Sequence, residues 1–367
     1  MGKINVGFVG CGNISGIYFK NLIQVFNNQV KVFACGDLFK EKQDKAIEEY
    51  GIENIMTFEE MLKSDDIHMI LNITQPAFHY DITKRALEAG KHVYLEKPLS
   101  LSFEEGRELV ELSQKKGLLL GGAPDTFMGA GIQTCKKLID DGYIGDIVGA
   151  TAFMMSKGHE SWHPDPEFYY KPGGGPMFDM GPYYITALLN LIGEVEWVVG
   201  MNTTGFEKRT ITSQPKYMQV IDVETPTHIS GLLKFSSGAT ASIITTFDCK
   251  KSDLPLIEIY GTKGSIKVPD PNTFGGPVFL ATSDGSGYKE VPLTHIYAEN
   301  SRGIGLADLV SCLTTKDKPK AGAQQILHVL EIMDAIFTSD EKKQYYKMTT
   351  KYEKPAQMSR DLVKGQV

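Results

Sequence analysis

The chain has 367 residues, 42% of them hydrophobic, with 38 Lys+Arg against 45 Asp+Glu and a formal charge of −7. That length suits about two domains with buried cores, and a mildly acidic chain without a Lys/Arg block speaks against a nucleic-acid partner, which needs clustered cations. The 37 glycines, about 10% against a usual ~7%, lie outside low-complexity tracts, which excludes fibres and disorder and marks tight turns or close backbone approaches.

Residues 4–9 form a short apolar run ending in glycine, and 14–26 read as a helix. Residues 30–35 are a second buried strand, 40–50 a charged amphipathic helix closed by Gly51, and 58–62 a short helix. Residues 69–74 give a third strand, 79–89 a helix closed by Gly90, and 92–95 a fourth strand. A helix over 102–116 ends at Gly117, and a fifth strand starts at 118–120. Strands of this length alternating with helices imply parallel βαβ units.

Past residue 120 the pattern changes. Residues 131–141 read as a helix and 148–155 as a strand, and 156–182 are dense in Pro, Gly, His and aromatics before a helix over 183–192. Residues 229–247 and 256–268 read as antiparallel hairpins, and 303–313 and 324–337 as closing helices. The fold class expected is therefore α/β: an N-terminal Rossmann doubly wound parallel sheet over 1–122, then an α+β domain with a large, mostly antiparallel sheet over 123–345. Residues 346–367 are expected to form a partly packed tail.

Strand 4–9 runs into Gly10-Cys11-Gly12-Asn13-Ile14-Ser15 and a helix. In a dinucleotide loop of this form Gly10 makes the tight turn and Gly12 lets the backbone approach a pyrophosphate. The helix start behind Asn13 and Ile14 offers unpaired N–H groups to phosphate. Asp37, closing the second strand, would bind the ribose hydroxyls and repel a 2′-phosphate, which favours NAD over NADP; Lys40 and Lys42 nearby could tolerate one. Strand 92–95 ends in Glu96-Lys97-Pro98, at the sheet edge where ligands bind. There Lys97 would stabilise a forming alkoxide, Glu96 would hold the nicotinamide or pair with Lys97, and the Lys97–Pro98 bond could be cis. Further on, Asp179 and Tyr183 are four apart, so on a helix they share one face. A carboxylate orienting a phenol beside a lysine is a workable proton-transfer set.

These elements, with Thr74-Gln75-Pro76-Ala77-Phe78-His79 and Gly173-Gly174-Gly175-Pro176, resemble in this order the glucose–fructose oxidoreductase, inositol dehydrogenase and rhizopine-catabolism (Gfo/Idh/MocA) family. The resemblance implies cofactor contacts from Thr74, Gln75, Pro76, His79 and Glu96, and a catalytic Lys97. It also implies an acid/base role for Tyr183 in place of the family's usual histidine, as in its tyrosine-containing branch. Asp125 and Thr126 stand where many members carry an Asn/Arg pair near the nicotinamide, and are expected to meet substrate. The large sheet is implied to be the interface of a homo-oligomer, a dimer, tetramer or hexamer.

His159-Glu160-Ser161-Trp162-His163 spells the zincin H-E-x-x-H pattern. Zinc needs both histidines on one helical face, and Pro164 directly after His163 disfavours that. A loop offering Trp162 and His163 to a polyol is the better reading, beside a purely structural loop, and no metal is expected. The five cysteines are scattered without a CxxC pair, which argues against a disulfide framework. The start, Met-Gly-Lys-Ile-Asn-Val, lacks a signal-peptide layout and no apolar run reaches ~18 residues, so a cytoplasmic protein without a membrane partner is expected. The expected activity is NAD-dependent hydride transfer at a secondary hydroxyl of a sugar, glycoside or cyclitol, C3 of a glucoside being favoured by the resemblance alone. A non-catalytic NAD-binding sensor or partner protein is the alternative.

Overall fold

Apolar runs too short to be core helices build the first sheet of the computed structural model, which describes residues 2–367. Its elements alternate: β1 (Ile4–Val9), α1 (Ser15–Gln24), β2 (Val30–Gly36), α2 (Lys40–Tyr50), β3 (Asn54–Ile55), α3 (Phe58–Lys63), β4 (Met69–Asn72), α4 (His79–Glu88), β5 (His92–Leu95), α5 (Phe103–Lys116) and β6 (Leu120–Gly122). The strand order β3-β2-β1-β4-β5-β6, with every paired strand parallel, is doubly wound and reverses direction between β1 and β4. That reversal opens a crevice beyond the strands' carboxyl ends, and Gly10, Thr74 and Glu96–Pro98 all follow strands that end there.

The second part holds α6 (Ala130–Asp140), β7 (Ile147–Met155), α7 (Gly175–Leu191), β8 (Val195–Thr203), β9 (Lys208–Thr210), β10 (Val220–Asp222), β11 (His228–Phe235), β12 (Thr240–Thr246), β13 (Ile257–Gly261), β14 (Gly264–Val268), β15 (Val278–Thr282) and β16 (Lys289–Val291). After these come α8 (Ile304–Thr315), α9 (Ala323–Lys342) and β17 (Tyr346–Lys347). Nine strands form one sheet in the order β16-β15-β14-β13-β7-β12-β11-β8-β17, antiparallel except for the β12–β7 pair. Alternation puts Ala150, Ala152, Ile243, Ile229, Leu233 and Val198 in the core on one face. Gly200 and Gly231 sit there without side chains because Ile336 of α9 occupies the space a Cβ would need. Met201 and Leu232, on the opposite face, are 70% and 58% exposed.

The helix read from residue 183 starts eight residues earlier, at Gly175. Pro176 lies in its first turn, where its missing N–H is no loss, so the proline that suggested loop begins the helix. Pro182 is carried inside it. The first unit is completed by distant chain. Gly303 abuts Leu22 and Tyr18, and Gly121 faces Leu309 of α8. Gly365 accepts a hydrogen bond from Asn28 and donates one to the Tyr297 hydroxyl. No helix among the described residues is long and apolar enough to cross a membrane.

The segment after α9 is tied down by one carboxylate. Glu331, buried on α9, accepts from the N–H and hydroxyl of Thr349, the N–H and hydroxyl of Thr350, and the Tyr346 hydroxyl. Burial pushes its carboxyl up, but the threonine donors outweigh that and hold it below its ordinary value of 4.5. The neighbouring His328 takes the Val195 N–H on Nε2 and faces the Thr350 hydroxyl with Nδ1, and burial pulls it down to about 4. Both groups resist protonation when folded, so their stability is present at neutral pH. His328's share is lost as pH falls from 6.5 towards 4, and that of Glu331 below 4.5. Glu331→Gln turns one acceptor oxygen into a donor facing donors and should cost about 1–3 kcal/mol, read as a lower urea midpoint with an unchanged slope.

Candidate active site

The glycine loop closes onto the crevice through strict local geometry. Gly10 has φ +101°, and a Cβ there would lie 2.9 Å from the Ile73 carbonyl oxygen, so the turn excludes larger residues. Beside Gly12 nothing lies within 4 Å of where a Cβ would be, which leaves a cradle open against the backbone. Ser15 donates its hydroxyl to the Gly12 carbonyl at 2.7 Å and its amide to the same oxygen at 3.0 Å; no side chain caps the start of α1, and the Asn13 and Ile14 amides, without a partner among the described residues, are left for phosphate. Asp37 accepts from the Cys11 N–H at 2.7 Å and the Phe39 N–H at 2.9 Å, with Lys42 at 3.9 Å. These residues fit a dinucleotide: a backbone cradle, a helix start and a braced carboxylate at the end of β2.

Two of the residues expected to touch cofactor are braces. His79 is fully buried, its Nδ1 at 2.6 Å from the Pro98 carbonyl and its Nε2 at 3.1 Å from that of Thr74. Its one N–H is donated to one of these carbonyls, and the buried ring braces the β4 loop against the β5 loop. Glu96 accepts the Tyr18 hydroxyl at 2.7 Å and its own neighbour's amide, Lys97 N–H, at 3.1 Å, which joins α1 to the end of β5. Thr74 donates its hydroxyl to Asn72, Gln75 is exposed and Pro76 half-buried. The Lys97–Pro98 bond is cis.

Lys97 reaches across to α7. Its Nζ donates to the Asp179 carbonyl at 2.5 Å and to Asp179 Oδ1 at 3.1 Å. His159 Nε2 stands 3.3 Å from Asp179 Oδ2, and its ring stacks on Tyr169 with centroids 3.8 Å apart. Burial pushes the Asp179 carboxyl up, but the Lys97 ammonium and His159 outweigh it and hold it below the usual carboxylate range. Burial pulls Lys97 down, while Asp179, Tyr183 and Glu96 hold it above its ordinary value, so the ammonium stays charged.

One helical turn on, Tyr183 lies with its ring 5.2 Å from Lys97 Nζ. Arg302 acts on its hydroxyl, whereas the Asp179 carboxylate faces Lys97 and His159 instead of forming the expected carboxylate–phenol pair. Burial raises the phenol and Glu96 adds to that; Lys97 and Arg302 pull it down, with a net rise. Arg302 is itself held by Asn272 and Asn300.

Asp125 and Thr126 do not join this group. Asp125 is buried and its Oδ2 accepts the Gly303 N–H at 2.8 Å and the Gly305 N–H at 3.1 Å, capping α8; Thr126 donates to the Pro271 carbonyl. Trp162 is 62% exposed at the tip of the 159–163 turn. His163 is half-buried against Tyr169, with Nδ1 accepting the Asp165 N–H. The H-E-x-x-H residues diverge: His159 faces Asp179 while Glu160 pairs with Arg209 at 2.6 Å. The reading from sequence passed over His159 and Arg302. His159 was legible only as half of that zinc pattern, and Arg302 carried no local signal.

Two family models match the chain, one described as an oxidoreductase family with an NAD-binding Rossmann fold over residues 4–122, the other as the GFO/IDH/MocA C-terminal domain over residues 132–267. Together they cover more than half of it. An uncharacterized oxidoreductase of Schizosaccharomyces pombe is 28% identical over 53% of each chain, and the match spans about half the length of the first curated relatives. Inositol 2-dehydrogenase of Rhizobium meliloti is 25% identical over 79% of this chain and 82% of its own. A structure of levoglucosan dehydrogenase in complex with NADH and L-sorbose superposes with a TM-score of 0.80 at 21% identity, covering 95% of this chain and all of its own; that likeness shows the fold.

Because Lys97 and Asp179 are both largely buried, Asp179→Ala should strand a charge and cost about 3–5 kcal/mol. The Lys97→Met/Asp179→Leu double variant should recover much of it, read by denaturant unfolding of the Lys97→Met and Asp179→Leu single variants, the double and Asp179→Ala.

Proposed function

Since the chain belongs to the GFO/IDH/MocA oxidoreductase family, we propose that it is an enzyme oxidising a secondary hydroxyl of a sugar, glycoside or cyclitol, or reducing the matching ketone, with NAD as cofactor. The observation that carries this is the charged Lys97–Asp179 pair seated beside Tyr183, beyond the strand end that faces the dinucleotide cradle. When bound, nicotinamide supplies the acceptor or donor of the hydride. Lys97 places its ammonium where the carbinol oxygen becomes an alkoxide and lowers the cost of that charge. Tyr183 takes or returns the hydroxyl proton, its phenolate balanced by Lys97 and Arg302. Asp179 and His159 hold Lys97 in place. Trp162 and His163, on the adjoining turn, present an aromatic face and a ring nitrogen to the sugar. Asp37 favours NAD over NADP by crowding a 2′-phosphate.

The test is NADH formation with a panel of sugars, glycosides and cyclitols, keto-sugar acceptors included. NMR of products from glucosides decides whether C3 is the carbon oxidised. Lys97→Ala should lower kcat by about 10²–10⁴-fold. Binding of NAD with no turnover on any member would make the protein a non-catalytic NAD binder instead. Arg302→Ala removes a pull that lowers the phenol, so the alkaline rise of kcat should move to higher pH, with Arg302→Lys restoring part of it.

We further propose that a second copy of the chain covers the open face of the nine-stranded sheet, where Met201 and Leu232 stand exposed on neighbouring strands. Such large apolar side chains grouped on a flat face are the mark of an interface. Sedimentation velocity should show an oligomer for the native chain and a smaller species for Met201→Lys/Leu232→Lys.

A further inference from the structure

Behind the active-site turn lies a second cavity that the redox chemistry leaves unused. It holds about 280 Å³ between residues 157–161, β9 and the loops carrying Phe206 and Lys250. That is close to the lower end of small-molecule pockets, which begin near ~300 Å³, and suits one sugar-sized unit.

Its charge is asymmetric in a way the ion pairs explain. Arg209, only 6% exposed, crosses the pocket base between the Tyr170 and Phe206 rings at 5.3 and 5.0 Å. Four of its five donor hydrogens are matched: to the Lys157 carbonyl, to Glu160, to the Phe247 carbonyl and to Asp248. The Nε hydrogen is buried and has no acceptor among the described residues, an uncommon state for a buried donor. Lys208 pairs with Asp222 at 3.2 Å. Lys157 and Lys250 line the same cavity without an ion-pair partner among the described residues, and Lys250 Nζ stands 5.4 Å over Phe206. Glu160, Asp248 and Asp222 face Arg209 and Lys208, which leaves one negative charge over; the two unpaired ammonium groups outnumber it and make the pocket net positive by one. Phe206, 45% exposed, gives an aromatic platform beside them, with Ser161 and Thr210 as hydroxyl neighbours.

We propose that this pocket binds an anionic monosaccharide, its carboxylate or phosphate held by Lys157 and Lys250 and its ring lying on Phe206. Two cations match an oxyanion, and the apolar side of a pyranose fits an aromatic face. The occupant adjoins the turn that carries His159, since the backbone of Glu160 lies between them and is held by the Thr212 and Ser213 amides. The site is one of binding and stands apart from the reaction proposed above.

Calorimetry on the full chain at low ionic strength, with glucuronate, glucose 6-phosphate, glucose and inorganic phosphate, tests it. Both anionic sugars, or the one whose anion fits, should bind, more weakly as salt is added. Lys157→Gln/Lys250→Gln should weaken that binding by about tenfold or more. Phe206→Ala should weaken the sugar anion but leave inorganic phosphate unchanged. Lys97→Ala should bind as the native chain does, which keeps this result separate from the fate of the redox reading. Equal affinity for neutral glucose, unchanged binding in the double lysine variant, or inorganic phosphate binding as tightly as glucose 6-phosphate would each overturn the proposal.

Discussion

The Lys97–Asp179 pair is the contact on which the arrangement turns. An ammonium at the end of β5 and a carboxylate on α7 come from different halves of the chain, and both are largely removed from water. Desolvating two charges is expensive, and their attraction offsets the cost only when the geometry is fixed and the other lone pairs and protons are satisfied. The surroundings meet that condition. His79 and Glu96 hold the lysine's loop from behind, the Asp179 carbonyl takes a second proton of the ammonium, and His159 faces the other carboxylate oxygen. The cost of burying the charges is thus an orienting force: it sets the first sheet's crevice against the helix that carries the phenol.

That dependence explains why helices from the far end of the chain return to the first sheet. Asp125 caps α8 through the Gly303 and Gly305 amides, and α8 in turn packs on β6. Burial lifts the Asp125 carboxyl to about 6, against the pull of those amides and of Arg302. Arg302 lies directly before the capped glycines, so the same cap that anchors α8 delivers the guanidinium to Tyr183. A residue that touches no substrate in this reading therefore governs one that does.

Much of this was legible from short stretches of chain. The glycine loop, Glu96-Lys97-Pro98 and the Asp179/Tyr183 spacing each follow from local rules: a tight turn, a strand end, a helical period. The alternation of strands and helices likewise gave the parallel sheet its order of elements. What escaped the sequence was set by partners remote along the chain. Arg302 lies in an irregular segment with no periodicity, and only packing brings it to Tyr183. Asp125 stands where the resemblance puts a pair near the nicotinamide and so looked like a site residue, but amides 178 and 180 positions away share its Oδ2. For His79 the resemblance implied a cofactor contact, and the fully buried ring is set by the carbonyls around it, one of them nineteen positions away. The first turns of α7 were legible only through the Asp179/Tyr183 spacing, because composition alone marked 183–192: proline reads as a breaker everywhere except in a helix's first turn.

The return of residues 303–315 and 365–367 to the first sheet has a consequence for how the chain is made. A ribosome releases the Rossmann strands long before α8 exists, so the nascent nucleotide-binding half must wait with the surface beneath α8 and around Leu22 uncovered. Its β-strands can pair early, but the wall formed by Tyr18, Leu22 and Gly121 closes only after some two hundred further residues have emerged. The halves are neighbours in sequence, yet the surface of the first is completed by residues from the far end of the chain. A chain cut after residue 122 would keep every glycine of its phosphate loop and still present an unfinished, sticky flank.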